Sequence, residues 1–88
     1  MDLKVFKKIL EIVTDYDLGG VMEVSNSSNE YFPEAMAIYD FIENNKKVHE
    51  ITTDMLADNI QLIFIHSFSV LPHISLCRGM ALEILAIV

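Results

Sequence analysis

The chain has 88 residues, is 52% apolar, and carries 13 acidic against 6 basic side chains for a formal net charge of −7. That length sets one domain with enough buried surface for an unstapled core. A charge of this sign and size is repelled by nucleic-acid phosphate and by anionic membranes, which excludes both as direct partners and makes a basic protein the complementary one.

Cys77 is the sole cysteine, so an internal disulfide is excluded and a reducing, cytoplasmic setting is the natural expectation. Lys4, Lys7 and Lys8 interleave with Leu3, Val5, Phe6, Ile9 and Leu10 instead of preceding an apolar block, so no secretory leader is expected. The run from Asn59 to Cys77 is free of charge and nearly long enough to span a membrane. It contains Asn59, Gln61, His66, Ser67, Ser69, Pro72, His73 and Ser75, which is too polar for hydrocarbon.

In chain order, Asp2 is a natural cap for a first helix reaching about Thr14, with Leu3, Phe6, Ile9, Leu10 and Val13 at helical spacing. Asp15-Tyr-Asp-Leu-Gly-Gly breaks it, with Gly19 and Gly20 free to take positive φ. Residues 15–32 read as an irregular connection. Within it Val21–Val24 is a short extended candidate, and Ser25-Asn-Ser-Ser-Asn29 is turn chemistry. A connection this long between helices is often functional.

Pro33 suits the start of a second helix, with Glu34 in its first turn where the dipole favours an anion. Ala35, Ile38, Phe41 and Ile42 form its buried stripe, with Tyr39 at the margin. Lys46 and Lys47 follow its carbonyl end. Thr53, with Thr52 as the second candidate, caps a third helix. Its apolar residues Leu56, Ile60, Ile63, Phe64 and Phe68, widened by Met55, Leu62 and Ile65, suit a central position. Pro72 marks an end or a sharp turn. A last helix from about His73 carries Ile74, Cys77, Ala81, Ile84, Leu85 and Val88 near one stripe, and the short link sets it antiparallel to the third. The expectation is an all-α domain of four helices spanning residues 1–88. Helices three and four form its core, and a long acidic loop joins helices one and two.

No constellation in the sequence meets the requirements of a reaction. Asp15, Asp17, Gly19 and Glu23 resemble the start of a calcium loop, but the twelfth position is Asn26 rather than a bidentate carboxylate. His73 and Cys77 share a helical face at four-residue spacing, yet two ligands fall short of a zinc site, and a cysteine packed as a small hydrophobe is the simpler reading. His49-Glu50 lacks the second histidine of a zincin, since position 53 is Thr. Ser67, Ser69 and Ser75 near His66 and His73 lack a nucleophile elbow. No catalytic residue, metal or cofactor is expected, and an enzyme is the least favoured class.

The charge pattern is the informative feature. From Ile9 to Asn45 there are eight carboxylates and no Lys or Arg, whereas from Asn59 onward Arg78 and Glu83 are the only charges. Such a face can serve solubility alone. Its uninterrupted sign, and the Tyr and Phe residues among the acids, give it the composition of a docking surface. The expected contacts are Asp15, Asp17, Glu23, Glu30, Glu34 and Asp40, with Tyr16, Tyr31 and Tyr39 as anchors.

The segments Asp15-Tyr-Asp-Leu-Gly19, Asn29-Glu-Tyr-Phe-Pro-Glu-Ala35 with Ile38, Leu56-Ala-Asp-Asn-Ile60 leading to Phe64 and Phe68, and Cys77 with the apolar last helix resemble the YugE-like proteins of bacilli. These are a small all-helical family of uncharacterised function, and the resemblance spans about residues 5–88. The family's Trp-Asp-Pro start stands here as Asp15-Tyr-Asp. In size, charge and style the chain is also similar to immunity proteins of bacterial toxin systems, including contact-dependent inhibition. That likeness implies a non-enzymatic inhibitor that masks a basic toxin domain, often a nuclease. The alternative expectation is a housekeeping interaction module or a homodimer formed through the apolar helices.

Overall fold

The computed structural model describes residues 2–18, 20 and 31–88. Its elements are α1 (Leu3–Tyr16), α2 (Phe32–Asn45), α3 (Thr53–Phe68) and α4 (Ile74–Leu85), with no strand among the described residues. The all-α expectation holds. Of the expected long acidic loop, residues 19 and 21–30 lie outside the described residues, including the extended candidate Val21–Val24 and the turn segment that follows it.

Helix α1 begins where the Asp2 carboxylate accepts from the backbone N–H groups of Lys4 at 3.1 Å and Val5 at 3.3 Å. It runs two residues beyond Thr14 because the left-handed turn falls on Asp17 (φ 48°, ψ 49°), whose N–H bonds the Val13 carbonyl. An aspartate tolerates this conformation better than most residues with a Cβ. Helix α2 starts one residue before Pro33, with Tyr31 in the cap position and no side-chain cap bond. Proline costs nothing there, because a first-turn N–H has no intrahelical acceptor.

Helix α3 is capped by Thr52 rather than Thr53: the Thr52 hydroxyl accepts from Met55 N–H at 3.2 Å. Thr52 is the residue still extended (ψ 161°), as a capping side chain requires. The helix stops at Phe68, four residues before Pro72, because Ser69 turns left-handed (φ 55°) and bonds back to Ile65. Helix α4 is capped by His73, whose Nδ1 accepts from Ser75 N–H at 3.2 Å.

All four helices contribute to one core. Its largest fully buried side chains include Tyr31, Phe64, Ile9, Ile38, Ile42, Leu56, Ile60 and Met80. The α3–α4 pair makes the most extensive contact, and α1 packs on both α2 and α4. The core is therefore shared among four helices instead of residing in α3 and α4 alone. Tyr39, expected at the margin of its stripe, is 5% exposed and belongs to this core. Among the described residues, no helix is long and apolar enough to cross a membrane.

The cap assignment is testable by urea denaturation. Thr52→Ala should lower stability by about 1 kcal/mol, whereas Thr53→Ala should cost less than about 0.5 kcal/mol. Equal losses would show that the hydroxyl at position 52 does not hold the helix start.

Candidate functional site

Helices α1 and α2 run antiparallel, because contacts tie each end of one to the opposite end of the other. At the start of α1, Asp2 N–H donates to the Tyr39 hydroxyl at 2.8 Å. At its end, the Tyr31 hydroxyl donates to the Asp17 carboxylate. Between them Phe6 meets Phe32 edge-on at 5.0 Å and Tyr39 at 6.3 Å. This direction sorts the charges. Lys4, Lys7 and Lys8 in the first half of α1 lie toward the end of α2 that carries Lys46 and Lys47, while Asp15 and Asp17 lie toward its beginning.

The acidic end gains a member from far along the chain. The Tyr16 hydroxyl donates to Glu83 of α4 at 2.5 Å, and the tyrosine ring crosses α4 at Gly79. A Cβ at position 79 would stand 2.8 Å from the phenol oxygen, so the glycine leaves the room this bond needs. The bond raises the Tyr16 phenol above its ordinary value of 10.0, with burial and the Glu83 charge adding to the effect. Glu83 is 67 residues from Tyr16, and no local sequence signal marks it as part of this end.

The expected contact residues do not all come together. Asp15, Tyr16, Asp17 and Tyr31 come together where α1 ends and α2 begins, with Asp15 exposed and Tyr16 and Asp17 half-buried. Asp40 is exposed but two turns further along α2, beside Tyr39 and toward the start of α1, so it does not join them. Glu23 and Glu30 lie outside the described residues.

Two of the three tyrosine anchors are core residues. Tyr31 is fully buried against Phe64 at 5.8 Å and Phe68 at 5.7 Å, and Tyr39 is closed in by α1. Their rings offer little surface to a partner. Phe32, half-exposed against Phe6, is the aromatic side chain presented near this end.

Glu34 departs furthest from the expected exposed acid. It is 6% exposed, and among the described residues its Oε1 has no hydrogen-bond partner. Leaving such an acceptor unpaired costs about 1–3 kcal/mol, more when it is charged. Position 34 turns away from the face of α2 that meets α1. Phe32 and Tyr39 meet α1, and Glu34 sits about 200° round the helix from Phe32.

The remaining candidates are separate from this end. His73 is an exposed cap outside the helix, and its Nδ1 lies 2.7 Å from the Ser75 hydroxyl; Cys77 is fully buried, so the two do not share a face. Burial pushes the Cys77 thiol up, as for a packed and unreactive cysteine. Among the described residues, no three His, Cys, Asp or Glu side chains gather as a metal site would need. At the opposite end, a cavity of about 510 Å³ is lined by Ile42, Lys46, His49, Glu50, Ile51, Leu85 and Val88. Lys46 there is paired with Glu43 at 2.8 Å.

Comparison with family models, curated proteins and solved structures finds no match to the chain.

The Tyr16–Glu83 bond gives a pH dependence of defined sign. Because the folded phenol titrates above 10.0, its contribution to stability is present below pH 10 and is lost as pH rises through the folded value. Tyr16→Phe should therefore flatten the alkaline fall in stability measured by urea denaturation. Gly79→Ala should destabilise the wild type by displacing the phenol. In the Tyr16→Phe background it should be neutral or stabilising by up to about 1 kcal/mol, since alanine is the better helix residue. The same sign in both backgrounds would mean that the phenol does not set the space at Gly79.

Proposed function

We propose that this chain is a non-enzymatic binding protein: a toxin-neutralising immunity protein that blocks a basic toxin domain, a nuclease fitting best, through its acidic end. The observation that carries the reading is the group Asp15, Asp17 and Glu83, in which two carboxylates are held by tyrosine hydroxyls from other helices. Fixed acids lose less side-chain freedom on binding than mobile ones. No Lys or Arg occurs between Ile9 and Asn45 to neutralise them, and the one arginine, Arg78, is paired with Asp54 at 3.1 Å. A nuclease binds phosphate with cationic side chains, and carboxylates in a fixed array offer those side chains the same sign of charge. The family likeness to YugE-like proteins and the likeness in style to immunity proteins are part of this proposal.

Capture of a binding partner from lysate, including the product of an adjacent reading frame, supplies the material for the test. Asp15→Lys should slow association with the captured basic partner about tenfold at low salt, with little change in dissociation, because rim charges act mainly on the on-rate. Raising the salt should erase that difference. Lys8→Glu, toward the other end, should leave the rate unchanged or raise it. An association rate indifferent to both salt and Asp15 would rule out the acidic end as the docking surface.

A second reading, a homodimer, draws on the exposed apolar side chains Leu62, Ile65, Val70 and Leu71 of α3 and the turn after it. A dimer in light scattering that persists at high salt and is lost in Leu62→Asp would favour it.

A further inference from the structure

Ser67, Ser69 and Ser75 are all exposed on the α3–α4 hairpin. The last has a histidine at its hydroxyl: His73 Nδ1 lies 2.7 Å from Ser75 Oγ. Among the described residues, no hydrogen bond pairs Ser67 or Ser69 with a histidine. The same Nδ1 accepts from Ser75 N–H at 3.2 Å. A backbone N–H can only donate, so this nitrogen carries no proton and the ring is the Nε2–H tautomer. The Ser75 hydroxyl is therefore the donor in the shorter contact. Its proton is already aimed at a bare imidazole nitrogen, the arrangement that activates a serine as a nucleophile.

The backbone holds this pair from both sides. Just ahead of it, the Pro72 carbonyl accepts from the Gln61 side-chain N–H at 2.9 Å. The His73 carbonyl accepts from Leu76 N–H at 3.0 Å and from Cys77 N–H at 3.2 Å. Cys77 is fully buried, so the second of these bonds ties the histidine to the core. Ser75 lies in the first turn of α4, which carries no acidic side chain. The positive end of the helix dipole there favours the charge that the serine oxygen gains as its proton leaves. Leu71 and Leu76, both exposed, flank the pair in the chain and suit an uncharged reagent. The net charge of −7 works against an anionic one.

We propose that Ser75 is an acyl-accepting serine with His73 as its general base, and that it takes the acyl group from an uncharged activated ester. Ser75 Oγ bonds to the ester carbonyl carbon as its proton passes to His73 Nδ1. The bond from that carbon to the leaving oxygen then breaks. The leaving oxygen keeps the electron pair and receives the proton from His73, which returns to its neutral form. One acyl group stays on Ser75, and nothing is oxidised or reduced. The modification is stoichiometric, so a binding protein can carry it without being an enzyme. It does not rest on the acidic end being a docking surface, and its test needs no partner.

The probe is the N-hydroxysuccinimide ester of acetic acid, applied to the full chain at neutral pH, with peptide mass spectrometry locating each acetyl group. Hydroxylamine then separates the products, since it cleaves a serine ester and leaves a lysine amide intact. Ser75 should be acetylated about tenfold faster than Ser67 and Ser69, which serve as exposed serines on the same hairpin. His73→Asn removes the base and keeps a good helix cap. In that variant Ser75 acetylation should fall to the rate of Ser67 and Ser69, with helix content by circular dichroism unchanged. Ser75→Ala should remove the hydroxylamine-sensitive acetyl group from its peptide and leave lysine acetylation as it was. Acetylation of Ser75 no faster than that of Ser67 and Ser69 in the wild type would overturn the proposal. So would a folded His73→Asn variant in which Ser75 reacts as fast as before.

Discussion

Tyr31 is the side chain on which the arrangement of three helices depends. It precedes α2, yet its ring is fully buried against Phe64 and Phe68 of α3, and its hydroxyl reaches Asp17 at the end of α1. A buried phenol is tolerable only when its hydroxyl has a partner, and a carboxylate gives it a strong one. The ring thus supplies apolar area and the hydroxyl supplies direction. With α1 and α2 tied at this end by Tyr31 and at the other by Tyr39 on the Asp2 amide, their antiparallel pairing follows.

The distribution of charge is a consequence of that pairing. In a linear reading the lysines at positions 4, 7 and 8 and those at 46 and 47 are two unrelated clusters. Antiparallel packing directs them toward one end and leaves Asp15 and Asp17 at the other, with Glu83 delivered by the crossing of α4 over Tyr16. Asp2, Asp40 and Glu43 lie with the lysines, so that end carries both signs, whereas Asp15, Asp17 and Glu83 have no Lys or Arg beside them in sequence.

The core is uneven in how it treats polar groups. Three junctions carry a directional bond between side chains or caps, while two buried oxygens, Glu34 Oε1 and Asn59 Oδ1, have no donor among the described residues. Natural cores pair such groups far more often than not, because the interior strengthens satisfied bonds and penalises unsatisfied ones alike. Where α2 meets α3, the Tyr31 ring, just ahead of α2, packs on Phe64 and Phe68.

The sequence by itself determined the number of helices, their order and most of their boundaries, because apolar spacing, caps and breakers act within a few residues. It read Asp2 as a cap, placed the start of the second helix at Pro33 and set the α3–α4 hairpin by its short link. At Tyr16 and Thr52 it was a residue or two out, and the choice lay between neighbours of similar local chemistry; the third helix ends four residues before Pro72, because Ser69 turns left-handed. It also showed that the acids outnumber the cations and where along the chain they lie. Tertiary structure alone decided which of those acids reach solvent. Glu34 and Tyr31 sit beside exposed residues in sequence, but rotation about α2 turns them inward, and that rotation is set by what α1 and α3 occupy. Likewise the Tyr16–Glu83 contact joins residues from opposite halves of the chain, and only the packing of α4 across α1 brings them within a hydrogen bond.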